Sequence, residues 1–311
     1  MNWPDELRHE PLGSPALDAV AGESATDAAT RSLYRAVVTG PQFCRLAASV
    51  DVSAPPADDV LVAVVPGAFH REHCHTGADG QRVIELAQSL GCAAERVPLG
   101  SFERLETNAR RLVDFLDRRR DKRVILVSLS KGSADVKTAV AMAPEAFMTV
   151  RVWISFSGMV NGTPLVDWLR RRWWRWLGVR AILACRGQSI QSLVELRCGT
   201  GGPLCDWPEL PAGLRLIHVL GFPLRRHLRH PWALRGYERL APLGPNDGGG
   251  ILLADVLRSP GEFYPVWGAD HYLQPTWDMR PLLQSLMRTS LDHANQSATT
   301  ASAAPASRSI A

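Results

Sequence analysis

Val124-Ile125-Leu126-Val127-Ser128-Leu129-Ser130-Lys131-Gly132 is the stretch on which the fold turns. Its first four residues are apolar and mostly β-branched, which predicts a short buried strand. The pattern breaks at Ser130, and Ser133 to Ala143 reads as a helix. A strand that passes into a helix through one serine has the form of a nucleophile elbow. In such a bend the hydroxyl is pushed out above the sheet edge, and the next backbone N–H faces the oxygen of a reacting carbonyl. Ser130 is therefore the candidate nucleophile. The flanks of an elbow must be small because strand and helix nearly touch; Gly132 meets that need, while Ser128 stands where the G-x-S-x-G motif has its first glycine. A buried strand followed by an ordinary Ser/Gly turn would look the same, so the surrounding chain has to decide.

Upstream, Val60 to Val65 is a continuous apolar run that stops at Pro66-Gly67, the mark of a strand covered on both faces. Asp79 can cap a helix whose Val83, Ile84, Ala87 and Leu90 share one side, with Gly91 as its stop. Cys92 to Val97 reads as a second strand, and Leu105, Ala109, Leu112, Val113 and Leu116 give a further amphipathic helix. Downstream, Pro144 ends the elbow helix and Val150 to Phe156 forms another strand. A long insertion follows to about Ala212; then Leu214 to Leu220 and Glu262 to Trp267 read as the last two strands. Strands alternating with helices predict a mostly parallel sheet flanked by helices, with right-handed crossovers.

In a sheet of this kind ligands bind at the carboxyl ends of the strands. Two loops there carry reactive groups: Asn246-Asp247-Gly248-Gly249-Gly250 holds a carboxylate, and Gly268-Ala269-Asp270-His271 an imidazole. Ser130, Asp247 and His271 thus occur in the order nucleophile, acid, base. Taken singly, Asp247 reads equally well as a solvated turn carboxylate and His271 as a surface histidine. On these residues the chain resembles the α/β-hydrolases over roughly Val60 to Gln274, and within that superfamily it is most similar to lipase-like serine esterases. Those esterases keep their acid in an Asn-Asp-Gly loop and their base some twenty residues on; here His271 follows Asp247 by 24 residues. They also carry a Gly-Thr turn before the lid, matched by Gly162-Thr163, and an oxyanion turn, matched by Pro66-Gly67-Ala68-Phe69.

The resemblance implies an α/β-hydrolase fold with a helical cap or lid at about 165–212. It also implies a Ser130–His271–Asp247 triad and an oxyanion hole built from the Lys131 N–H and that of Ala68 or Phe69. The chemistry is cleavage of carboxylic esters, from small molecules or lipids, through an acyl-enzyme, with no cofactor. Asp270 and Asp255 are the alternative acids. The same triad would serve a thioesterase or acyltransferase, and a catalytically silent protein that binds a lipid or partner is the reading from outside enzymology. The departures are Ser128 in place of glycine, the lack of an evident pair of N-terminal strands, and only loosely lipase-like residues around His271.

Other conspicuous residues lie around this frame. His70-Arg71-Glu72-His73-Cys74-His75 groups three histidines and a cysteine, yet its spacing fits no standard zinc motif, and His70 reaching into a pocket is the simpler reading. Lys131 reads either as a positive charge for an anionic substrate or as a solvated lysine contributing only its backbone. Leu165 to Leu177 carries Trp168, Trp173, Trp174 and Trp176 among arginines. As one helix it would gather Leu165, Leu169, Trp173, Trp176 and Leu177 on one side, suiting a cap over the core, a lid over an acyl site or a helix lying on a lipid surface.

Composition narrows the classes. The chain is 46% hydrophobic with a formal charge of +4, and the basic residues are local rather than spread, which does not suggest a nucleic-acid-binding protein. The six cysteines form no C-x-x-C pair; Cys198 and Cys205 flank a Gly-rich turn and would bridge only in an exported protein. The N-terminus lacks the features of a secretory signal, which leads to an expectation of cytoplasmic location. Residues 1–58 are expected to form a helical extension, 59–293 the hydrolase-like domain with a closing helix from Pro281, and 294–311 a disordered Ala/Ser/Thr-rich tail.

Overall fold

Six short strands pair side by side in one direction. The computed structural model describes residues 23–43, 59–199 and 201–273. Its strands are β1 (Val60–Val65), β2 (Ala93–Arg96), β3 (Arg123–Leu129), β4 (Val150–Phe156), β5 (Arg215–Phe222) and β6 (Glu262–Trp267). They lie in the order β2-β1-β3-β4-β5-β6, and every neighbouring pair is parallel. Because side chains alternate along a strand, β1 sends Leu61, Ala63 and Val65 into one core and Val60, Val62 and Val64 into another. Both faces of the sheet are therefore buried, which is why β1 is apolar without alternation.

Helices supply the cover. α1 (Ala25–Thr39) is capped by Ser24, whose hydroxyl accepts from the Asp27 N–H, and packs Tyr34 against Phe222 and Trp267. α3 (Leu105–Asp117) and α4 (Lys131–Met142) pack on the same face as α1, and α2 (Gln81–Ser89) on the other. α4 starts directly after Ser130, two residues earlier than the periodicity suggested, because the bend is confined to the serine itself.

The sheet's two margins are finished differently. β2 is short and mostly exposed, and its Glu95 and Arg96 are tied to Arg119 and Asp79. At the far margin the chain after α1 runs beside β6, with Phe43 bridged to Phe263 and the Phe263 N–H donating to the Gln42 carbonyl at 2.9 Å.

The insertion differs from the expected single helix over 165–177. It forms α5 (Leu165–Arg170), α6 (Trp173–Cys185) and α7 (Ile190–Val194), with Arg172 extended at φ −130°, ψ 113° between the first two. The three helices close over the carboxyl ends of the strands through Val166, Leu183 and Leu193, packed with Phe102, Leu105 and Ala134. Buried Lys137 anchors the end of this segment. Its ammonium donates to the carbonyls of Val160 (3.0 Å) and Leu204 (2.9 Å) and lies 4.4 Å from the Trp207 ring centre; burial lowers its pKa to about 8. α8 (Pro231–Leu240) and α9 (Leu253–Val256) complete the described helices, none of which is long and apolar enough to cross a membrane. Cys92, Cys185, Cys198 and Cys205 are free thiols. The expected closing helix at Pro281 and the tail from Asn295 fall outside the described residues.

Candidate active site

Ser130 takes φ 50°, ψ −116°, a conformation that costs a non-glycine residue on the order of 1–3 kcal/mol and must be held by its surroundings. The holding contacts are backbone ones. The Ser130 N–H donates to the Phe156 carbonyl, and its own carbonyl accepts from Ser133 and Met159. Gly132 is required by proximity, since a Cβ there would stand 2.5 Å from the Pro66 carbonyl oxygen. Ser128 proves compatible with the bend because its hydroxyl joins a buried polar cluster. It accepts from the Trp153 indole N–H at 2.7 Å and shares a 2.7 Å hydrogen bond with Ser133, whose hydroxyl also accepts from Ser155.

The other two loops meet this serine. His271 Nε2 lies 2.9 Å from Ser130 Oγ, and His271 Nδ1 lies 2.5 Å from Asp247 Oδ2. A carboxylate can only accept, so Nδ1 carries the proton and Nε2 is left to accept from the serine hydroxyl. Asp247 is fully buried. Its other oxygen, Oδ1, accepts from the N–H groups of Gly249, Gly250 and Ile251 at 2.9–3.2 Å, which fixes the carboxylate in its loop. The imidazole lies across Gly249 so closely that a Cβ there would sit 2.0 Å from His271 Cγ. The alternative acids are committed elsewhere: Asp270 Oδ1 accepts from the Tyr272 N–H, and Asp255 pairs with Arg258.

Burial pushes the His271 pKa down, but the charge and hydrogen bond of Asp247, with the charge of Asp270, outweigh it and leave the pKa above 6.5. A base must be neutral to take a proton, so raising its pKa moves the acid limb of activity to higher pH. The pH profile of kcat/KM should show that limb above the ordinary histidine range, and Asp247→Asn should shift it downward. An unmoved limb in that variant would separate His271 from Asp247 in the chemistry.

Of the two turn amides expected to share the oxyanion role, that of Phe69 is occupied, donating to the Ser101 carbonyl at 2.8 Å. Among the described residues, the N–H groups of Ala68 and Lys131 meet no acceptor. The Lys131 side chain corrects the expectation of a solvated lysine: it is 1% exposed and its Nζ donates to Asp135 Oδ1 at 2.6 Å. Asn108 donates to Asp135 Oδ2 at 3.1 Å and clamps Gly100 through both that residue's N–H and its carbonyl. Burial raises the Asp135 pKa against the pull of Lys131 and Asn108. These contacts join α4, which bears one free amide, to the Gly100-Ser101 loop, which holds the turn bearing the other. Asn108 and Asp135 were not singled out in the sequence; the i,i+4 spacing of Lys131 and Asp135 on α4 was the available signal.

Asn108→Ala removes a donor from a buried carboxylate and frees the Gly100 loop. It is expected to cost about 1–3 kcal/mol of stability and to lower kcat about 10- to 100-fold with KM little changed. Equal loss in kcat and gain in KM would mean that the network shapes the pocket rather than the amides.

A cavity of about 460 Å³ opens beside Ser130 and His271. Its wall under the insertion is aliphatic, with Leu165, Val179, Leu183 and Leu196 facing Phe102. The tryptophans expected at a pocket or lid lie on the helical insertion, and none of them lines the cavity. Trp168 lies between the guanidinium groups of Arg175 and Arg239, Trp176 packs at the edge of the insertion's apolar cluster, and Trp173 points outward. His70 is buried beneath the turn with Nδ1 3.0 Å from the Gly67 carbonyl, and burial lowers its pKa. His73 reaches the cavity instead, its ring edge-on to Trp232 at the opening.

No family model matches the sequence, and no curated protein matches it. Among solved structures the chain is similar to a metagenomic carboxyl esterase, at 17% identity and a TM-score of 0.56, with 92% of this chain and 97% of that one covered. It is also similar to a lipase from Bacillus licheniformis. The mature form matches at 20% identity and a TM-score of 0.51, covering 72% of this chain and 89% of that one. The propeptide form matches at 21% and 0.56, covering 74% and 51%. At such identities the likeness is one of fold: six parallel strands, flanking helices and a helical insertion make this an α/β-hydrolase fold.

Proposed function

We propose that the protein is a serine hydrolase that cleaves carboxylic esters with a hydrophobic acyl part. The observation that carries this reading is the placement of one imidazole within hydrogen-bond reach of both a strained serine hydroxyl and a buried carboxylate. The Ser130 oxygen attacks the ester carbonyl while His271 takes its proton, and the oxygen that becomes negative is met by the N–H groups of Ala68 and Lys131. Collapse of the tetrahedral species breaks the bond to the alcohol, which leaves with the proton from His271. An acyl group then rests on Ser130 with its chain along the aliphatic wall. Water, deprotonated by His271, releases it as the acid and restores the serine. Asp247 holds the imidazole tautomer and stabilises the transient imidazolium. The esterase and lipase named above support the reaction class, as does the apolar cavity.

A fluorophosphonate probe tests the reading together with p-nitrophenyl esters of graded chain length. Stoichiometric labelling lost in Ser130→Ala, with turnover favouring medium over the shortest acyl chains, is the expected result. Labelling with turnover confined to acyl thioesters, or acyl transfer favoured over hydrolysis, would move the activity to a thioesterase or acyltransferase using the same triad. No labelling under any condition would leave a silent binding protein on this scaffold.

A further inference from the structure

α6 is apolar on both of its sides, and only one is covered. Its inner side sends Val179 and Leu183 to the cavity. Its outer side leaves Trp173 74%, Trp174 57%, Leu177 51% and Ile182 55% exposed. A helix hydrophobic all round is ordinarily buried all round, and a cluster of large exposed apolar side chains marks a surface that meets a partner. The charge carried by this segment itself is of one sign. Arg170, Arg171, Arg172, Arg175, Arg180 and Arg186 fall between Trp168 and Val194, a stretch without a single Asp or Glu. Among the described residues none of the six forms an ion pair; Arg175 and Arg170 rest on indole rings instead.

We propose that this outer face docks on an anionic lipid bilayer. Indole rings settle at the boundary between headgroups and acyl chains, where one edge is apolar and the other wet. Guanidinium groups match phosphate oxygens in a two-pronged geometry and are drawn to a negatively charged leaflet. The face thus has both components that hold a helix flat on a membrane, apolar side chains to insert and cations to meet the headgroups. A second copy of the chain fits it poorly, since two such faces would bring like-charged arginines of this segment against one another. The contact is peripheral, because no described helix is able to span a bilayer. Docked this way, the roof of the cavity rests on the lipid surface.

Co-sedimentation of the full-length protein with phosphatidylcholine vesicles, with and without phosphatidylglycerol, tests the proposal. Binding should be about tenfold or more tighter when the anionic lipid is present, should weaken as salt is raised, and should fall about tenfold in Trp173→Ser/Trp174→Ser. That double variant should turn over a short water-soluble ester at the wild-type rate, since neither indole lines the cavity. Equal binding to neutral and anionic vesicles, no binding to either, or undiminished binding by the double variant would overturn the proposal. So would a wild-type dimer in gel filtration that the double variant converts to monomer, which would make the face an interface between copies. Ser130→Ala should bind vesicles as wild type does, so failure of the esterase reading and failure of the docking are told apart.

Discussion

Ser130→Ala is expected to lower kcat for an activated ester by about 10⁵- to 10⁶-fold while leaving the protein folded. The size follows from what is removed. A covalent route through an acyl-enzyme needs an oxygen at the bend, and the neighbouring Ser128 and Ser133 cannot replace it, because both hydroxyls are spent in the buried cluster beneath the elbow. What survives is the polarising effect of the two free amides and the binding of substrate, about 10³–10⁴-fold over water in comparable sites. The fold should be indifferent, since Ser130 is held by its backbone hydrogen bonds, which alanine keeps. Burst kinetics with a p-nitrophenyl ester and a thermal melt check both halves. A variant that retains even a hundredth of wild-type turnover would remove Ser130 from the nucleophile's role.

Asp247→Asn comes next in size, with an expected loss of about 10⁴-fold in kcat. An asparagine oxygen at Oδ1 still accepts the three backbone N–H groups of Gly249, Gly250 and Ile251, so the loop keeps its shape. The amide NH₂ then faces His271 Nδ1 and donates where the carboxylate accepted. The ring proton is driven to Nε2, which points at Ser130, and the base has nothing left with which to take the serine's proton. The rate at optimal pH, read beside a melting temperature close to that of the parent, separates this electronic effect from unfolding. Near-normal activity in the variant would turn attention to Asp270, whose charge also bears on the ring.

Much of this was legible in the chain because it is written in local terms. β1, β3 and β4 are runs of β-branched residues ended by Gly, Pro or Ser, and burial on both faces gives them no competing period. Ser130, Asp247 and His271 were legible because each sits just past a strand or on a Gly-rich loop, where a parallel sheet presents its chemistry. The misreadings come from contacts between distant residues. The break at Arg172 has no glycine or proline to announce it, and the two helices it separates meet again in one apolar cluster through Val166 and Leu183. Phe69 looked as apt an oxyanion donor as Ala68 until the Ser101 carbonyl, far away in sequence, took its N–H. Lys131 looked solvated because its burial depends on Asp135 and Asn108, the latter from another helix. His70 is the exception, a local contact: its ring folds back to the Gly67 carbonyl three residues earlier, a rotamer choice that leaves no mark in the sequence pattern.

The way the sheet is finished at its two margins bears on how densely these molecules can gather. An unguarded outer strand is a template on which a strand from another chain can grow. Here one rim is only four residues long and studded with tethered charges, and the other is already escorted by the chain around Phe43. Crowding on a vesicle would raise local concentration steeply, yet neither rim invites the zipping that turns crowded sheet proteins into fibres.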